Sequence, residues 1–215
     1  MRTPITLVDN ETGDLVEAQL FDEVTIDHFL ETENEWRPLV RSAALRVLQE
    51  ERSGEQIPQH WHWDWTSKTP ELGKLGVTFY GVECVGKLQG LMKVETPGAD
   101  PVVCQCRLAG QRGKPLVYID YLEAAPWNVK WLMQELGRGA RFRGVGTEFV
   151  RAAVQHSFYE GFHGRVGLHS LPTSERFYLQ GCGMTDGERD LNKEKLLWCE
   201  FTPEQAARFL RGRNL

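Results

Sequence analysis

The decisive stretch is 141-RFRGVGTEFV-150, where two arginines and two glycines stand directly before an apolar pattern of helical period. Val145, Phe149, Ala152, Ala153 and Phe158 recur at that period and predict a helix from about residue 145 to 159, with Gly161 as its stop. Gly144 and Gly146 let the backbone adopt positive φ and let a ligand approach without a Cβ in the way. A helix start leaves N–H groups unpaired and carries about half a positive charge. Arg141 and Arg143 add guanidinium groups suited to charge-assisted hydrogen bonds. Together these features describe an anion site, with phosphate the usual guest. Two familiar nucleotide motifs are excluded: Phe149 stands where G-x-G-x-x-G needs its third glycine, and no G-K-[ST] follows.

The composition is that of an ordinary globular chain: 215 residues, 41% apolar and 26% charged, with seven tryptophans and ten phenylalanines for a core. A net charge of −5 opposes a general nucleic-acid surface, which needs a basic stripe, but not a local basic pocket. No apolar run approaches the roughly 20 residues that cross a bilayer. The first residues, MRTPITLVDNETGDLVE, lack the apolar core and cleavage site of a signal peptide. Five cysteines without C-x-x-C spacing suit free thiols in a reducing compartment. The expectation is a cytoplasmic monomer or homodimer with no nucleic-acid or membrane partner.

Upstream, ITLVDNETGDLVEAQLF predicts two strands around a turn at Glu11–Asp14. A helical pattern runs from Thr25 to about Arg52 and is expected to break at Pro38. Residues 53–73 are aromatic and turn-rich, an irregular connection. GVTFYGVECVGKLQGLMKVET reads as strands with turns at Gly81 and Gly86, and VVCQCRL as a further strand. KPLVYIDYLEAAP is the strongest strand pattern, ending at Pro126. WNVKWLMQELGRGAR reads as a loop, RVGLHSL as a strand, and TSERFYLQG as a short helix capped by Thr173 or Ser174. KLLWCEF is a strand and TPEQAARFLRG a helix with Pro203 in its first turn.

Three motifs in this order resemble the GNAT acyltransferases, the acetyl-CoA-dependent N-acetyltransferase superfamily. Arg141-x-x-Gly144-x-Gly146 matches that family's Q/R-x-x-G-x-G/A signature, which cradles the pyrophosphate of coenzyme A. Leu122-Glu123-Ala124-Ala125-Pro126 is similar to its L-x-V-x-P strand end, and RVGLHSLPTSERFYLQGCGMT to its fifth strand and following helix. The resemblance covers roughly residues 75 to 201. The segment 127–140 is an insertion relative to the usual pattern, and 178–183 is one residue longer than common.

The resemblance implies an α/β fold: a mixed, mostly antiparallel sheet flanked by helices, with a splayed parallel strand pair at the acyl-CoA cleft. It implies one domain over 1–215, with an elaborated N-terminal part (1–70), an acyl-CoA-binding core (71–201) and a C-terminal helix (202–215). The implied activity is acyl transfer from acetyl-CoA to a primary amine of a small molecule or peptide, with no metal. The implied CoA contacts are Leu122, Glu123 and Ala124, whose N–H groups polarise the thioester carbonyl, together with Arg141, Phe142, Arg143, Gly144, Val145, Gly146, Thr147, Ser170 and Phe177. Tyr178 is the expected general acid for the departing thiolate.

For the base, strand alternation puts Tyr118, Asp120 and Leu122 on one face and Ile119, Tyr121 and Glu123 on the other. Asp120 in an apolar strand is expensive unless paired or facing a wet cleft, and is the first candidate; Glu123 is the second. His169 and Ser170 are expected to face the same cleft. In HWHWDW, His60, His62 and Asp64 share one parity, a pattern open to a metal triad, an acceptor-pocket wall or plain packing. The alternative function class is a module that binds acyl-CoA as a sensor or scaffold without turnover; Tyr178 and Asp120 favour the enzyme.

Overall fold

In the computed structural model, which describes residues 1–49 and 62–212, the chain begins with a hairpin of β1 (Arg2–Asp9) and β2 (Leu15–Phe21), paired in register from Arg2↔Phe21 to Val8↔Leu15. Asp9 Oδ1 accepts the Glu11 and Thr12 N–H groups in the turn, and Gly13 closes it at φ 80°. β3 (Val77–Cys84) pairs antiparallel with β2. Gly81, expected at a turn, lies inside β3. A Cβ there would sit 2.3 Å from Cζ of Phe21, so its role is close approach. The turn is made instead by Val85 and Gly86 at φ 51° and 67°, a positive-φ pair that suits a two-residue hairpin into β4 (Lys87–Glu95).

The remaining strands are β5 (Val117–Ala124), β6 (Phe142–Arg143), β7 (Val166–Ser170), β8 (Thr185–Asp190) and β9 (Leu196–Glu200). They hydrogen-bond in the order β6-β1-β2-β3-β4-β5-β7-β9-β8. β5 and β7 are parallel, whereas β1–β2, β1–β6, β2–β3, β7–β9 and β8–β9 are antiparallel. VVCQCRL is no strand; it is a series of turns with one isolated bridge, Gln105↔Pro115. Two carboxylates hold this backbone in turns: Asp100 Oδ1 accepts the Val102 and Val103 N–H groups at 2.8 and 3.0 Å, and the fully buried Glu200 accepts the Arg107 N–H at 2.7 Å and the Gln111 side chain.

The chain forms two compact units: Met1–Leu72 with Phe79–Leu91 and Glu123–Gly146, and Gly73–Thr78 with Met92–Leu122 and Thr147–Leu215. In the first, α1 (Ile26–Glu31) continues through a π-helical segment, Thr32–Trp36, into α2 (Arg37–Gln49). Pro38 therefore does not break the helix. It lacks the N–H that would serve the carbonyl four residues back, and the chain widens there instead, with the Arg37 N–H reaching Thr32 O. The stretch expected as a loop after Pro126 contains α3 (Lys130–Glu135), whose Leu132 and Met133 pack on Val40 and Ala43 of α2.

α4 (Val145–Tyr159), all but its first two residues in the second unit, occupies the expected span. The segment after β7 starts at Pro172 as a 3-10 turn, with Leu171 O accepting the Ser174 N–H, so neither Thr173 nor Ser174 is the cap. It widens into a π segment at Phe177–Cys182. α5 (Pro203–Arg211) has a reciprocal cap: Thr202 Oγ1 accepts from Gln205 N, and Gln205 Oε1 accepts from Thr202 N.

Close packing at β7 yields a test. A Cβ on Gly167 would lie 2.6 Å from Trp198 Cζ2 and 2.9 Å from Leu116 Cδ2, both in the buried core. Gly167→Ala is expected to lower unfolding free energy by about 1–3 kcal/mol, the usual cost of overpacking, seen as a lower urea midpoint at unchanged slope.

Candidate functional site

The arginine–glycine turn is pinned on its strand side. The Arg141 carbonyl accepts the Asn10 N–H at 2.7 Å, the Arg141 N–H bonds Trp127 O at 2.8 Å, and the Phe142 N–H bonds Asn128 Oδ1 at 3.0 Å. β6 adds Asp9↔Phe142 and Val8↔Arg143 against β1. Gly144 has φ 104°, a conformation closed to side chains, although a Cβ there would meet only Leu7 at 3.6 Å. Conformation, not space, requires this glycine. Arg141 and Arg143 are exposed, while the Phe142 ring is 2% exposed beneath the Arg141 guanidinium. Phe142 is thus an anchor whose N–H is already used. The first turn of α4, from Val145, begins directly after Gly144, and its leading N–H groups have no partner within the helix. Asn128 and Trp127 carry no sequence signal for this anchoring; only the fold brings them to the turn.

β5 and β7 pair over Val117↔Val166 to Ile119↔Leu168. Beyond that rung β7 continues on β9, with His169↔Trp198 and Ser170↔Leu197, while β5 runs on to Ala124. Leu122, Glu123 and Ala124 therefore lie past the parallel pairing. The next N–H, of Ala125, is bonded to Gln89 O at 2.8 Å.

The two candidate bases have different partners, as alternation requires. Asp120 Oδ2 accepts from Lys93 Nζ at 2.8 Å, and the same ammonium meets Glu95 Oε1 at 2.7 Å. Lys93 is 5% exposed and Asp120 22%, so this carboxylate keeps access to solvent. Glu123 does not. Its side chain is 2% exposed and ion-paired with the equally buried Arg37, and its Oε2 accepts Trp65 Nε1–H at 2.7 Å. With both oxygens engaged in buried contacts, the Glu123 carboxylate is built as a structural anchor.

On the Asp120 face of β5, Tyr118 Oη lies 2.9 Å from His169 Nδ1, and His169 Nε2 lies 3.1 Å from Asp190 Oδ2. A carboxylate can only accept, so Nε2 carries the hydrogen and Nδ1 accepts the Tyr118 hydroxyl. Arg107 Nη1 completes the row at 2.7 Å from Asp190, with its guanidinium 4.2 Å from the Trp198 ring centre. Burial first, then Arg107, pushes the His169 imidazole down to about 4; hydrogen bonds from Arg107 and the Asn192 N–H hold Asp190 at about 2. His169 is thus a neutral internal residue. Ser170, on the other parity, is 1% exposed and donates to its neighbour's carbonyl, Leu171 O, at 3.0 Å.

Tyr178 lies on the π segment, 7% exposed, edge-on to the half-buried Phe177 at 4.9 Å. Burial pushes its phenol above the ordinary tyrosine value, so the hydroxyl keeps its proton. In HWHWDW, His60 and Trp61 lie outside the described residues. His62 is exposed, and Asp64 caps the turn after it, accepting from Thr66 Oγ1 at 2.6 Å and Ser67 N at 3.2 Å. Among the described residues no group of three or more His, Cys, Asp or Glu is arranged to hold a metal ion, and no helix is long and apolar enough to cross a membrane.

The neutral His169 gives a pH dependence. Its folded value lies below the unfolded 6.5, so between pH 6.5 and about 4 the unfolded chain binds a proton that the native state refuses. Its contribution to stability is complete above pH 6.5 and is lost as pH falls through that window. Tm is expected to fall across it, and His169→Asn to flatten that part of the Tm–pH curve.

No family model and no curated protein matches the sequence. Solved structures do match in fold. An uncharacterized protein of Bacillus halodurans aligns over 97% of this chain and 94% of its own at 11% identity, with a TM-score of 0.54. A GNAT-family acetyltransferase of Listeria monocytogenes aligns over 93% and 99% at 9% identity, TM-score 0.51. The PaiA N-acetyltransferase of Thermoplasma acidophilum, solved with coenzyme A, aligns over 85% and 97% at 11% identity, TM-score 0.50. At these identities the likeness is one of fold.

Proposed function

We propose that this chain, whose fold is that of the GNAT acyltransferases, transfers an acyl group from acetyl-CoA to a primary amine of a small molecule or peptide. The observation that carries the reading is the pinned turn: Gly144 at φ 104°, between two exposed arginines and the start of a 15-residue helix. Such a turn suits a pyrophosphate, with Arg141, Arg143 and the N–H groups of Gly144, Val145, Gly146 and Thr147 as its donors. The donor's thioester supplies the activated acyl group. Every other part of the reaction falls to residues of the chain.

Leu122, Glu123 and Ala124 lie past the parallel pairing, where their backbone can polarise the thioester carbonyl. Tyr178, buried and protonated, suits donation to the departing sulfur. Asp120 keeps solvent access and takes the amine proton through Oδ1, with Oδ2 on Lys93. The Glu123 side chain has no part in proton transfer in this scheme. Cytoplasmic operation without a metal is part of the same proposal.

One observation favours a second reading, an acyl-CoA-binding module without turnover: both strand carboxylates are ion-paired. Thiol release from acetyl-CoA over a panel of amines separates the two. Tyr178→Phe is expected to lower kcat by about 10²–10⁴-fold with acetyl-CoA affinity retained; binding without turnover on any amine overturns the enzyme. Gly144→Val is expected to raise the acetyl-CoA Kd at least ~10-fold, because a β-branched residue resists positive φ, and calorimetry showing unchanged affinity refutes the turn assignment.

A further inference from the structure

The helical run from Ile26 to Gln49 is unbroken, α1 passing through the π segment into α2, and lies wholly in the first unit. At about 1.5 Å per residue it is roughly 35 Å long. Its inner face belongs to the core: Phe29, Trp36, Val40, Ala43 and Val47 are fully buried. A surface helix of a globular protein sets one such apolar stripe against a polar opposite face. This one does not. Its outer face carries Ile26, Leu30, Leu45 and Leu48, exposed by 46%, 45%, 57% and 56%, with the exposed Pro38 between the two pairs. These residues recur at helical spacing, so they form one row rather than scattered single side chains. A second apolar row, on a helix whose first is already buried, marks a surface built to be covered.

The charges along the same run point to what covers it. Its first half carries Asp27, Glu31, Glu33 and Glu35 and no lysine or arginine; its second half carries Arg37, Arg41 and Arg46 and no carboxylate. A second copy of this helix, laid antiparallel, sets acidic half against basic half at both ends at once, and opposes the two helix dipoles favourably. With Pro38 at the two-fold axis, Leu30 meets the second copy's Leu45, and Ile26 comes to its Leu48. Asp27 directly follows Ile26, and Arg46 directly follows Leu45, so both flank the row on the same side. A two-fold axis keeps those sides together, and the Asp27–Arg46 pairing then forms twice. We propose that this face joins two copies of the chain in an isologous, antiparallel helix contact. One helix from each copy makes a contact at the small end of the interface range, so association is weak, on the order of micromolar. The inference stands independently of the acyl-transfer reading.

The test is sedimentation velocity of the whole chain from about 1 to 200 μM, a span that brackets a micromolar equilibrium. A monomer–dimer equilibrium is expected for the native sequence. Leu45→Glu is expected to raise the dimer Kd at least ~10-fold, since each dimer loses two buried leucines, with Tm unchanged because the side chain is exposed in the single chain. Asp27→Arg and Arg46→Glu are each expected to weaken the dimer, and the two together to restore it, which fixes the antiparallel register. A chain monomeric at every concentration overturns the proposal. So does a dimer indifferent to Leu45→Glu, and a charge exchange that fails to restore association refutes the antiparallel arrangement. Flotation with phosphatidylcholine vesicles covers the other occupant of an apolar face: a monomeric chain that binds them, and loses them with Leu45→Glu, assigns the row to lipid and overturns the dimer.

Discussion

The Arg37–Glu123 ion pair is a fully buried constraint on the first unit. It joins the start of α2 to the last residues of β5, and the Trp65 indole completes it on the second carboxylate oxygen. Both side chains are 2% exposed. Removing one partner of such a buried pair leaves an uncompensated charge, at about 3–5 kcal/mol. The pair therefore fixes where the strand end sits against the helix, and with it the peptide groups of Leu122 to Ala124. It also accounts for an acidic residue at the end of an apolar strand.

The second unit solves a similar problem with a wider network. One face of β4 and β5 carries Glu95, Lys93, Asp120 and Tyr118, and β7 and β8 add His169 and Asp190. Polar groups on a largely buried sheet face are tolerated only when their hydrogen bonds are satisfied in series. Here Lys93 of β4 holds both Glu95 of its own strand and Asp120 of β5, Tyr118 meets His169 and His169 meets Asp190 across strands, and Arg107 closes the row at Asp190. Among the carboxylates of this array Asp120 is the most exposed, at 22% against 16% for Glu95 and 14% for Asp190, so the face leaves one carboxylate within reach of solvent.

Much of this architecture was legible in the sequence because it is written in local signals. The periodicity of 145–159 and the Thr202–Pro203 cap specify α4 and α5, and the alternation in VYIDYLEA correctly separates Asp120 from Glu123. What escaped was decided by distant partners. Gly81 looked like a turn because its true reason, the Phe21 ring, is sixty residues away. VVCQCRL has strand composition, yet Glu200 on a far strand captures its backbone. Pro38 announced a break, and a π turn absorbed it. Glu123 looked like a possible base because nothing local reveals Arg37 as its partner. The arginine–glycine turn was visible through Gly144, but its anchors, Asn128 and Trp127, were not.

All five cysteines are buried, and burial raises every one of them, Cys104, Cys106, Cys182 and Cys199 to about 12. Aromatic disulfide reagents react with thiolates, so these buried thiols are expected to react slowly with them in the native fold near neutral pH. A colorimetric count of coenzyme A released in a test of the proposed acyl transfer then carries little background from the chain itself. The same reagent turns into an unfolding probe once the core opens, and one cuvette can report turnover and loss of native structure on separable time courses.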